Sequence, residues 1–104
     1  MSINDKKDYL KSYRLQENLI RTLKRLCIEN PSQKDVLHTK IEECENLRTQ
    51  IAEKIFKIKD TRYKVLLYEK YMNGRTLEEI ALILNYSKRH AERLHIAALK
   101  SFKL

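Results

Sequence analysis

One glycine and one proline among 104 residues leave little from which to build the tight turns that sheets need, which argues against an all-β or α/β fold. Tryptophan is absent and charged residues make up 35% of the chain, a composition better suited to long amphipathic helices than to a thick globular core. No apolar run approaches the roughly 20 residues of a membrane span. No secretory segment follows Met1, so a cytoplasmic protein without a membrane anchor is expected. Cysteine is scarce: Cys27 and Cys44 have no CxxC spacing and, with the scattered His38, His90 and His95, form no zinc pattern. Their thiols are expected to be reduced. The sequence offers no Ser/His/Asp set, paired-carboxylate arrangement, metal-ligand spacing or glycine-rich phosphate loop. The expectation is a non-enzymatic protein with no metal and no cofactor, in which Glu42-Glu43 is a solvated helix flank.

What the chain does have is positive charge. Twenty-two Lys and Arg stand against 14 Asp and Glu, a formal net charge of +8. Residues 1–60 carry 13 basic and 10 acidic residues, whereas residues 61–104 carry 9 and 4, so the shorter segment is the more basic. A field of that sign draws polyanions, of which nucleic acid is the commonest.

The fold class expected is all-α, with an N-terminal antiparallel helical hairpin over residues 1–60 and a helix-turn-helix over residues 61–104. The first helix is predicted from about Asp5 to Asn30, where Pro31 disfavours the α conformation of the residue before it. The second is predicted from about Gln33 to Lys59, with Ser32 as N-cap and Asp35 near the positive end of the helix dipole. Tyr9, Tyr13, Gln16, Ile20, Leu23 and Cys27 alternate at spacings of four and three, and so do Leu37, Ile41, Cys44, Arg48, Ile51, Ile55 and Ile58. Folding the chain at Pro31 sets Cys27 opposite Leu37, Leu23 opposite Ile41, Ile20 opposite Cys44, Tyr13 opposite Ile51 and Tyr9 opposite Ile55. The one polar residue of each seam then falls in the same layer, Gln16 with Arg48, and a buried mismatch is avoided. Cys27 and Cys44 lie two layers, roughly 10 Å, apart, too far for a disulfide. Leu15, Leu19, Leu26, Leu47, Ala52 and Phe56 fall off the seam. A lone two-helix hairpin is marginal, so these residues need the C-terminal segment, a second copy or another protein to cover them, and a homodimer is preferred. The alternative is that both heptad stripes face another chain.

Periodicity restarts after Asp60-Thr61. Tyr63, Leu66, Leu67, Lys70 and Tyr71 mark a helix ending at Asn73-Gly74, with Gly74 suited to a left-handed cap. Thr76 and Glu79 have the spacing of a capping box for a helix that buries Ile80, Ala81 and Leu84. Asn85 stands where a left-handed turn residue is required, four residues after the small Ala81. Ser87 then caps a last helix that buries Ala91, Leu94, Ala98, Leu99 and Phe102. That pattern is the signature of a helix-turn-helix.

The first turn of the last helix reads Lys88-Arg89-His90, although helix N-termini favour acids. A phosphate or an electronegative groove would offset the cost. Arg89 and Arg93, one turn apart, are candidates for guanine edges or phosphates, and Lys88 for phosphate. Glu92 suits a cytosine amino group or the orientation of either arginine, with Ile96 farther along the outward face. Arg75 is a candidate clamp on the backbone beside Thr76, and Ser87 and His90 complete the expected DNA-binding set. His90 and His95 are expected to pack or to meet phosphate rather than to titrate.

The stretch from Arg62 to Leu99, with Tyr63-Lys64-Val65-Leu66-Leu67, Lys70-Tyr71, Thr76-Leu77-Glu78-Glu79-Ile80-Ala81, Tyr86-Ser87, Leu94-His95 and Ala97-Ala98-Leu99, resembles sigma-factor region 4. It is closer still to a family of small regulators from phages and prophages of Gram-positive bacteria, akin to the ArpU and RinA-type late-gene activators. The resemblance implies a helical arm before a sigma-region-4-like domain, transcriptional control of phage genes in the bacterial host cytoplasm, and the last helix in the major groove of double-stranded DNA. It leaves open contact with RNA polymerase or a phage regulatory protein. Ala91 departs from the pattern, which favours a larger β-branched residue there, and no promoter-melting region is present. Two other functions fit the same residues: a phage terminase small subunit, and a protein–protein adaptor that uses the helix-turn-helix as a docking surface.

Overall fold

The computed structural model describes residues 2–104. It is all-helical, with five α-helices and no strand among the described residues: α1 (Ile3–Glu29), α2 (Lys34–Phe56), α3 (Thr61–Leu67), α4 (Leu77–Leu84) and α5 (Lys88–Ser101). No helix among those residues is long and apolar enough to cross a membrane.

α1 begins two residues earlier than the sequence suggests, because Ser2 and Asp5 form a reciprocal capping box. It stops at Asn30, whose φ of −133° and ψ of 72° are the non-helical backbone that a following proline enforces. Pro31–Gln33 then form a short 3₁₀ turn, and Gln33, not Ser32, precedes α2 without a side-chain cap. The proline at the first position of the turn supplies a preset φ in place of a capping hydroxyl. α2 ends at Phe56 rather than near Lys59, so Ile58 packs against the core from beyond the helix.

Along the paired α1 and α2, Gln16, Ile20, Ile41, Ile51 and Ile55 are buried, and Tyr9, Tyr13, Leu23, Cys27, Leu37, Cys44 and Arg48 are half-buried. Both cysteines are free. Leu10 is fully buried although it lies one residue off the seam. It sits on the flank that the C-terminal helices cover, in one cluster with Ile51, Ile55, Leu66, Tyr71, Leu94 and Phe102. The core therefore gathers where the open end of the helix pair meets α3–α5. The Cα radius of gyration is 16.2 Å, against about 13 Å for a compact chain of this length. The excess comes from the Pro31 end of the pair, which projects beyond the core in a molecule 52 Å long.

Two bonds fix the pair to the C-terminal helices. Lys6 Nζ donates to Leu99 O at 2.9 Å and Lys100 O at 3.1 Å, satisfying carbonyls that the end of α5 leaves open. Arg14 Nη1 donates to Met72 O at 3.5 Å, and its guanidinium lies over Gly74.

Candidate nucleic-acid interface

Asp60 starts the C-terminal segment by accepting from the backbone N–H of Arg62 and Tyr63. The helix expected to run to Asn73 changes character part-way. α3 ends at Leu67 and Tyr68–Met72 widen into a π-helical turn, with Asn73 N–H donating to Tyr68 O at 3.2 Å and Arg75 N–H to Glu69 O at 3.0 Å. The turn closes on Gly74 at φ 72°, a conformation that costs a residue with a Cβ.

Thr76 and Glu79 cap α4 reciprocally, and that bond to the Thr76 backbone holds the Glu79 carboxyl below its ordinary range. Asn85 takes the left-handed conformation, φ 58° and ψ 44°. Ser87 Oγ accepts from His90 N–H at 3.1 Å to start α5. Ala91, Leu94, Ala98, Leu99 and Phe102 turn inward and are buried. His95 joins them, and its Nε2 lies 2.7 Å from the Tyr71 hydroxyl. Burial, with Lys70 and Lys7 nearby, lowers the His95 pKa to about 4, and burial pushes Tyr71 up to about 12. The ring is thus neutral and accepts from the tyrosine.

The outward face of α5 carries Arg89, Glu92, Arg93 and Ile96, all exposed, at positions i, i+3, i+4 and i+7. Among the described residues, no ion pair involves Arg89 or Arg93. Lys88 differs from the expectation of an uncompensated cation, because its Nζ lies 2.9 Å from Glu78 Oε1. The hydrogen bond to Glu78 raises the Lys88 pKa, and the same bond lowers that of Glu78. The charge at the start of α5 is thereby partly offset from the start of α4, ten residues back. Arg75 is also engaged within the chain, at 2.6 Å from Glu69 and 3.6 Å from Glu79; here it ties the π-helical turn to α4. Thr76 and Ser87 spend their hydroxyls as caps, and His90 stacks on Tyr86 with ring centroids 3.9 Å apart. Of the eight residues singled out from the sequence, Arg89, Arg93 and Glu92 remain free to meet a ligand.

Arg62 is an addition. It lines the same shallow depression as Ser87, His90 and Arg93, and its hydrogen bond to Asp60 raises its pKa. Its place beside α5 comes from the packing of α3 on α5, which no local spacing encodes. No group of three or more potential metal ligands occurs among the described residues. Compared with known proteins, the chain matches no family model, no curated protein and no solved structure.

Proposed function

We propose that the chain is a non-enzymatic, sequence-specific DNA-binding transcriptional regulator acting in a bacterial host. In it an antiparallel helical hairpin carries a sigma-region-4-like helix-turn-helix formed by α4, the Asn85 turn and α5. The observation that supports this best is the outward stripe of α5, where two unpaired arginines one turn apart flank Glu92 and end on the exposed Ile96. Positions i, i+3, i+4 and i+7 of a helix seated in the major groove are those that meet base edges. The arginines supply donors for guanine, Glu92 an acceptor for a cytosine amino group, and Ile96 an apolar contact for a thymine methyl. Free N–H groups at the start of α5 and the net positive charge favour the phosphates.

Selection of bound DNA from a random pool tests the proposal. The wild type should enrich a defined site, and the double change Arg89→Ala with Arg93→Ala should reduce preference for it at least tenfold, since each bidentate contact contributes about 1–3 kcal/mol. Lys88→Ala should weaken all sequences alike and lower the salt slope by about one. An unselective wild type, or a double variant as selective as wild type, removes α5 as the reading helix.

A protein–protein adaptor is the second reading, favoured by Leu82 and Ile83, apolar and exposed on α4. Binding through that face would change little with salt, whereas binding to phosphates falls steeply.

A further inference from the structure

Going beyond DNA binding and independently of it, we infer that the chain forms a homodimer through the side of its helix pair that faces away from α3–α5. In the heptad register the two flanks of the α1–α2 seam differ. One carries Leu10, which has no exposure, and Phe56, whose ring centroid is 5.8 Å from that of Tyr68; the C-terminal helices occupy this side. The other carries Leu15, Leu19 and Leu26 of α1 with Val36 and Leu47 of α2. Leu15, Leu19, Val36 and Leu47 are 52%, 40%, 61% and 47% exposed. An antiparallel pair brings matching flanks of its helices to one side, so these residues form a continuous apolar strip.

Charge selects a second copy as the occupant. The chain is strongly basic, so two copies repel wherever their surfaces carry that excess. On this strip Asp8 and Glu43 balance Lys40 and Lys54, and Lys40 and Glu43 pair with each other at 3.7 Å. A charged partner finds nothing complementary there, while a copy of the chain meets no repulsion. Size agrees. About 18 residues of rise and the width of two helices give roughly 540 Å² per copy, near 1,100 Å² in total, which clears the approximate 1,000 Å² of a specific interface. The strip is also self-complementary. A two-fold axis lays α1 of one copy along α2 of the other, bringing Leu19 towards Leu47 twice in a four-helix arrangement.

Sedimentation equilibrium of the full chain without DNA tests the inference. Wild type should sediment as a dimer at micromolar concentration. Leu19→Glu with Leu47→Glu should sediment as a monomer of unchanged helix content. Should those charges unfold the hairpin, Leu19→Ala with Leu47→Ala, which favours helix, should still raise the dimer dissociation constant at least tenfold. Ile28→Glu, on the other flank, should leave the dimer intact. A wild type that stays monomeric to about 100 µM, beyond the range of specific standard-size interfaces, overturns the inference. So does a dimer indifferent to both leucine pairs, a dimer abolished by Ile28→Glu, or a monomer that uses this strip for a different protein.

Discussion

His95 shows how one side chain couples the core to pH. Its folded pKa, about 4, lies below the ordinary 6.5 because burial disfavours the cation. The unfolded chain therefore takes up a proton that the folded one refuses, and stability is complete above pH 6.5 and falls as the pH drops towards 4, by about 2–3 kcal/mol. Thermal melts at pH 7 and pH 4.5 should show that loss. His95→Gln, which keeps an acceptor for the Tyr71 hydroxyl, should flatten the difference. A second expectation concerns Tyr9, whose buried hydroxyl has no partner. Such a group costs about 1–3 kcal/mol, so Tyr9→Phe should leave the denaturant midpoint unchanged or raise it. Both features escape a reading of the sequence. His95 and Tyr71 are 24 residues apart, and the spacing of α5 marks its buried face without saying that a histidine there will find a tyrosine.

At the level of elements, the positions that end helices were legible and the changes within them were not. Asn30-Pro31, Gly74 and Asn85 announce their backbone conformations through residue type alone, and the Thr76–Glu79 box is a local pattern. The π-helical turn at Tyr68–Met72 has no such mark, because its wider bonding depends on where Glu69 meets Arg75 and where Arg14 of α1 arrives. Leu10 was missed for a like reason: it is buried by helices 50 and more residues away. The Lys88–Glu78 pair joins two helix starts that only the turn between them brings together. Gly74→Ala is the informative change here. A Cβ would sit 2.6 Å from Arg14 Nη1 at a positive φ, so strain and a displaced guanidinium should cost about 1–2 kcal/mol, read as a lower denaturant midpoint. Ser87→Ala should cost about 1 kcal/mol through the lost cap of α5.

The whole molecule divides by support rather than by sequence. Near its open end the helix pair belongs to the core, whereas near Pro31 it has only its own seam. Hydrogen exchange should be fastest around residues 24–40 and slowest in α3 and α5, following the depth of burial. The fold class was readable from composition and period; the length of projecting hairpin was not, because it depends on how far α3–α5 reach along the pair. Lys6 fixes that reach by holding the last carbonyls of α5. Lys6→Met should remove that attachment, lowering the midpoint by about 1 kcal/mol while leaving helix content intact.

That lysine, with Arg14 above Gly74, means that α5 does not hang from a tether. Only four residues, Lys57 to Asp60, separate α2 from α3, and bonds from α1 hold the far side. Two such molecules joined back to back would behave as a caliper with locked jaws, fitting sites at one separation and failing when a single base pair is inserted between them.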